Sequence, residues 1–199
     1  MNATLTRRLA ALLCACALAA CSEKHPAPVP PAISAAPASA PAASAPVEYA
    51  KHAVLDCDDR KIVLDATCSN VYSPVLMACS RQSLAFQDSA AGREVGKRDF
   101  AVVKGDGDTP AMVEEKVGAL TCTRSASGER YVVADMFNGG NCEQCEWHDV
   151  YDWEGKLVGS DRDRGKTDQR VADVVSAATA TGQAFGHDEL PDFYAEGKR

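Results

Sequence analysis

A chain of 199 residues with 28 acidic against 21 basic side chains carries a net charge of −7, and only 6% of it is aromatic. That balance excludes nucleic acid as a partner and argues against direct docking on an anionic lipid surface, since both require a basic face. Nine cysteines in so short a chain make its redox compartment the first question.

Arg7 and Arg8 give a positive start, Leu9 to Ala17 form a short apolar run, and small residues follow. These are the three parts of an export signal. The run is too short to cross a bilayer, which takes roughly 20 apolar residues. Leu18-Ala19-Ala20-Cys21 resembles the lipobox of bacterial lipoproteins. The resemblance implies that residues 1–20 are a signal peptide, removed with Cys14 and Cys16, and that the Cys21 thiol receives a diacylglycerol. It also implies several acyl chains on one anchor, each buried methylene contributing about 0.8 kcal/mol, so that attachment to the membrane is durable. In that family an Asp after the cysteine tends to retain the product in the inner membrane. Ser22 stands there in this chain, which implies the outer membrane of the cell envelope, facing either the periplasm or the outside.

Residues 22–47 hold seven of the ten prolines, and most of the rest is Ala and Ser. Such a stretch cannot bury a core, so Cys21 and residues 22–47 read as a lipidated Pro/Ala-rich tether, on the order of 80 Å if extended as polyproline II. Residues 48–199 are long enough for one domain. Without Arg7 and Arg8 the exported chain keeps 19 basic side chains against 28 acidic, a charge of −9 that would steer a basic protein partner towards it.

Period-two patterns bounded by turn residues predict strands at Ala53–Cys57, Lys61–Cys68, Val75–Gln87, Arg98–Lys104, Val117–Arg124, Arg130–Phe137, Glu146–Trp153 and Lys156–Gly159. Asp58-Asp59, Ala91-Gly92, Gly105 to Asp108, Ser127-Gly128, Asn138 to Gly140 and Glu154-Gly155 mark the turns between them. Val171, Val174, Val175 and Ala178 recur at helical spacing, with Thr167 placed to cap, Asp168 in the first turn and Gly182 at the end. The tail from Gln183 has no clear pattern. The expected fold is mainly β, an antiparallel sheet forming a small barrel or a sandwich, with one C-terminal helix.

Six cysteines remain in the domain, and six in an exported chain read as three disulfides with 15 arrangements open. The pairing taken is Cys57–Cys68, Cys79–Cys122 and Cys142–Cys145. The Cys142-Glu-Gln-Cys145 spacing invites other chemistry. A thioredoxin-type site needs a stabilised thiolate, and Glu143, Glu146 and Asp149 disfavour one. Haem attachment needs a histidine directly after the second cysteine, but His148 comes two residues later. Cys142, Cys145 and His148 are zinc ligands by type, yet thiols in an oxidising compartment pair with each other. The acidic turns Asp106-Gly-Asp108 and Asp161-Arg-Asp163 lack calcium-loop spacing. Neither a cofactor nor a metal is expected.

Hydrolase chemistry finds no Gly-x-Ser-x-Gly elbow, and His148 and His187 sit in no nucleophile–base pattern. No catalytic residue is assigned. Trp147, Asp149, Tyr151 and Trp153 share one face of a strand, so Trp147, Tyr151 and Trp153 could form a recognition surface, although with twelve aromatics in the chain at least two of the three are expected in the core. Ser127-Gly128-Glu129-Arg130-Tyr131 resembles the Ser-Gly-x-x-Tyr motif of periplasmic inhibitors of c-type lysozyme, small β-barrel proteins whose motif contacts the lysozyme cleft. The resemblance implies that Ser127 and Tyr131 could touch a partner; that family's second motif is absent, Gly139-Gly140-Asn141-Cys142 standing in its place. The expected function is a lipid-anchored envelope protein that binds a partner without catalysis. An inhibitor or immunity-type protein against a lysozyme-like cell-wall hydrolase, and an envelope enzyme of unknown chemistry, stay open beside it.

Overall fold

Alternating apolar and polar residues build most of the strands, and the two larger antiparallel sheets result from them. The structure, a computed structural model, describes residues 47–70, 78–105, 107, 110–139, 142, 144–180 and 183–195. The signal, Cys21, most of the tether, residues 75–77 of an expected strand and Gly182 lie outside the described residues. β1 (Glu48–Cys57), β2 (Arg60–Ser69), β3 (Ala78–Asp88) and β4 (Glu94–Asp99) pair in chain order as a four-stranded meander. A ribbon of β5 (Val102–Val103) and β6 (Met112–Val113) follows. β7 (Lys116–Arg124), β8 (Arg130–Phe137), β9 (Glu146–Asp152) and β10 (Leu157–Ser160) form a second meander. β11 (Ala184–Glu189) adds to the β7 edge, giving the order β10-β9-β8-β7-β11.

One apolar face of each sheet is turned towards the other. Ile62, Leu64, Leu84 and Phe86 from the first sheet share a core with Leu120, Val132, Met136 and Tyr151 from the second. This is a sandwich-like arrangement of antiparallel sheets. The opposite face of the five-stranded sheet carries a smaller core, in which Tyr131, Val133 and Val150 pack against Val171 and Val174 of α1 (Gln169–Thr179). The helix is the late element the 3.6-residue spacing predicts, although β11 follows it. Its cap is Asp168, whose carboxylate accepts the Arg170 N–H at 2.8 Å, and not Thr167. Thr167 instead donates its hydroxyl to the Asp163 carbonyl.

The sheets close on each other at one corner because two glycines stand there. A Cβ at Gly96 on β4 would strike the Glu154 carbonyl, and one at Gly155 would strike the Phe86 ring. Gly155 also has φ +80°, which side chains with a Cβ resist. At the other end, Leu190, Phe193 and Tyr194 seal the core. The Tyr194 hydroxyl donates to Gln82 Oε1 at 2.6 Å and accepts the Val117 N–H at 3.0 Å. Lys51 donates to the Ala195 carbonyl at 2.8 Å.

Three expectations need correction. The strand expected at Arg98–Lys104 is broken, because β4 ends at Asp99 and Phe100 turns into the core. The patternless tail contains β11, an edge strand whose half-exposed residues give no alternation to read. The disulfides are Cys57–Cys122, Cys68–Cys79 and Cys142–Cys145. Cys57 cannot reach Cys68, because Cys57 sits at the β1–β2 turn opposite Arg60 while Cys68 lies opposite Tyr49 at the far end of the hairpin. At about 3.4 Å per residue the two ends are more than 20 Å apart. Cys68 is instead the register partner of Cys79, which leaves Cys57 to bridge the two sheets to Cys122 on β7.

Candidate functional site

The helix covers only part of the five-stranded sheet's outer face, and the uncovered part is a cleft of about 450 Å³. Strand alternation decides what lines it. Val132, Ala134 and Met136 of β8 point inward, so Tyr131, Val133 and Asp135 point outward. The first two lie under the helix and Asp135 lies beyond it. Register then places His148, Asp135, Ala119 and Glu189 side by side across four strands. Ala119 is the small residue in that row, and the lack of a longer side chain there leaves the hollow between the carboxylates. Glu146, Asp161 and Arg164 complete its charged rim.

His148 is held by its neighbours. The Asp161 carboxylate meets the ring at Nδ1 at 2.7 Å and accepts the His148 backbone N–H at 2.6 Å. Asp135 lies 3.6 Å from Nε2 on the other side. Both ring nitrogens therefore have a carboxylate close by. Across the hollow, His187 Nδ1 and the Thr121 hydroxyl are 2.7 Å apart, and His187 Nε2 is 3.6 Å from Glu189. The Asp135 carboxyl is pushed above the usual carboxylate range, chiefly by burial; His148 and His187 oppose the shift while Asp161 and Glu189 reinforce it. Four carboxylates thus face the hollow against one guanidinium, Arg164, and the His148 imidazole. Among the described residues, no group of three or more His, Cys, Asp or Glu is placed to hold a metal ion. No helix among them is long and apolar enough to cross a membrane.

Of the residues singled out from sequence as possible partner contacts, only Trp147 also lines the hollow. Trp147, Tyr151 and Trp153 share one face, and that face is the core: the three are 5%, 0% and 6% exposed. Asp149 is buried among them and ionised partners come to it from afar. Arg98, on the edge strand of the other sheet, donates to Asp149 Oδ2 at 2.6 Å and also to the Tyr151 hydroxyl, and it lies 3.5 Å from Glu115. Trp147 donates to Asp149 Oδ1 at 3.2 Å, and the Arg162 guanidinium stacks 4.0 Å from the Trp147 ring centre. Burial, more than any other influence, raises the pKa of the Tyr151 phenol. This network fastens β4 to β9 inside the sandwich, and of its rings only the largely buried Trp147 also lines the hollow.

Ser127 is exposed at the tip of the β7–β8 hairpin, where Gly128 takes φ +86°. Tyr131 is 1% exposed beneath the helix. Its hydroxyl donates to Glu129 Oε2 at 3.0 Å and accepts two N–H bonds from Arg170, at 2.9 and 2.6 Å. Of Ser127 and Tyr131, the turn therefore exposes only Ser127. Cys21 lies outside the described residues. His148, Glu146 and Asp161 were read in the sequence for other chemistry, and the further signal was an Asp in the otherwise apolar outward series Tyr131, Val133, Asp135. Without knowing which face is outward, that signal reads as noise. No protein-family model, no curated protein and no solved structure matches this chain.

Proposed function

We propose that the chain is a non-catalytic binding protein of the bacterial envelope. In this reading it is tethered through lipid on Cys21 and receives a basic protein partner on the outer face of its five-stranded sheet. The observation that carries the reading is the hollow over Ala119, where Asp135, Glu146, Asp161 and Glu189 converge on space that a lysine or arginine side chain fits. The anchor rests on Leu18-Ala19-Ala20-Cys21 and the charged-then-apolar segment before it. Three disulfides agree with an oxidising compartment. A binding role suits the hollow because its carboxylates outnumber its cations and would hold a basic side chain by charge.

A basic cell-wall hydrolase is the partner class that charge and compartment favour, with the cleft and not the Ser127–Tyr131 turn as the contact. The test is binding of the detergent-solubilised full chain to a panel of basic cell-wall hydrolases, c-type lysozyme first, across a salt series. Affinity that falls steeply with salt, and falls about tenfold or more in Asp135→Asn/Glu189→Gln, is the expected result. Binding to none of the panel, or binding indifferent to that double substitution, overturns the proposal.

A further inference from the structure

The three disulfides are not equivalent in what can reach them. Cys57, Cys122, Cys68 and Cys79 are each at most 1% exposed, inside the core and tied into strands. Cys142 is exposed, while its partner Cys145 is 5% exposed. They occupy the loop between β8 and β9, and their bond spans a sequence separation of 3, against 65 and 11 for the others. Opening it therefore releases little else of the fold. Thiol–disulfide exchange needs an attacking thiolate to reach one sulfur along the S–S axis and the other sulfur to leave as a thiolate. Cys142 gives the access. The leaving sulfur is also provided for, since the Cys142 backbone N–H already donates to Cys145 Sγ at 3.2 Å, and a donor stabilises the thiolate more than the thiol.

We infer that Cys142–Cys145 is an exchange site at which an envelope dithiol acts, whereas the other two disulfides are permanent cross-links. A thiolate of the dithiol attacks Cys142 Sγ; the bond to Cys145 breaks and its electron pair leaves on Cys145 as a thiolate, which takes a proton. The dithiol's second thiol, deprotonated, then attacks the mixed disulfide and expels the Cys142 thiolate, which is protonated in turn. The dithiol is oxidised to a disulfide and Cys142–Cys145 is reduced to two thiols, a transfer of two electrons and two protons. The acidic residues around the motif disfavour Cys142 as an attacking thiolate, so the site accepts electrons and does not act as an oxidoreductase nucleophile. One consequence lies beside the hollow, because Glu146 follows Cys145 directly and lines the rim.

The test exposes the folded full chain in detergent to dithiothreitol, quenches with iodoacetamide at intervals, and locates alkylated cysteines by mass spectrometry. Cys142 and Cys145 should be alkylated about tenfold or more sooner than the other four, with the unfolding transition preserved. In Cys145→Ser, oxidised glutathione should leave its adduct on Cys142; in Cys142→Ser, the buried Cys145 should resist it. Alkylation of Cys57, Cys122, Cys68 or Cys79 first or at the same rate overturns the inference, as does a glutathione adduct forming equally fast on Cys145.

Discussion

At Asp135, burial and the two neighbouring histidines pull the carboxyl in opposite directions. Its carboxyl holds a proton more tightly in the folded chain than in the unfolded one, because burial outweighs the two histidines. That contribution to stability is complete below the unfolded pKa and is lost as pH rises through the folded value. Asp135→Asn removes the burden of ionisation, so the variant should gain stability over the parent as pH climbs from the acid range and hold that gain at neutral pH. Urea midpoints across a pH series check this, and a variant that loses stability at neutral pH would contradict it. Alternation put Trp147, Asp149, Tyr151 and Trp153 on one face correctly. The partner of the buried Asp149 is Arg98, distant in sequence and on the other sheet, and no local window contains that information.

Among the elements, α1 was the most legible, because its valines recur at the helical period and its environment adds only burial on one side. Val174 is 1% exposed between the helix and Tyr131, Val133 and Val150. Val174→Ala should cost about 2 kcal/mol, seen as a lower urea midpoint with an unchanged m-value, and the small outer core should lose it without rearranging the sandwich. β7, β8 and β9 were legible for a related reason, since each has one face in the main core and a turn at its end. β11 and the β4 boundary were not. Both lie at sheet edges, where half-exposed residues carry little hydrophobic contrast and pairing is decided by a strand far away in sequence. The candidate cleft was illegible for the same cause, as its row forms only when four strands are placed in register.

For the whole molecule, cross-linking sets the hierarchy of stability. In the chain-entropy account a disulfide contributes more as its loop lengthens, which gives about 4 kcal/mol for Cys57–Cys122, about 3 for Cys68–Cys79 and about 1.5 for Cys142–Cys145. Replacing Cys57 and Cys122 together by Ser should therefore lower the thermal midpoint furthest of the three paired replacements, and calorimetry on all three orders them. An order that places Cys142–Cys145 first would contradict the account. A mainly antiparallel β fold with one helix was readable from periodicity and turns. Of the cysteine pairs Cys142–Cys145 was readable from its spacing; the other two were not, because Cys68–Cys79 depends on the β2–β3 register and Cys57–Cys122 on the sheets meeting face to face.

The seal at Tyr194 has a consequence for when this fold can complete. Its hydroxyl reaches Gln82, 112 positions earlier, and Leu190 and Phe193 enter the same core. A nascent chain that has emerged only through β10 has most strands in hand but neither the β11 edge nor the plug that excludes water from the end of the sandwich. Folding must then wait for almost the entire polypeptide to be made.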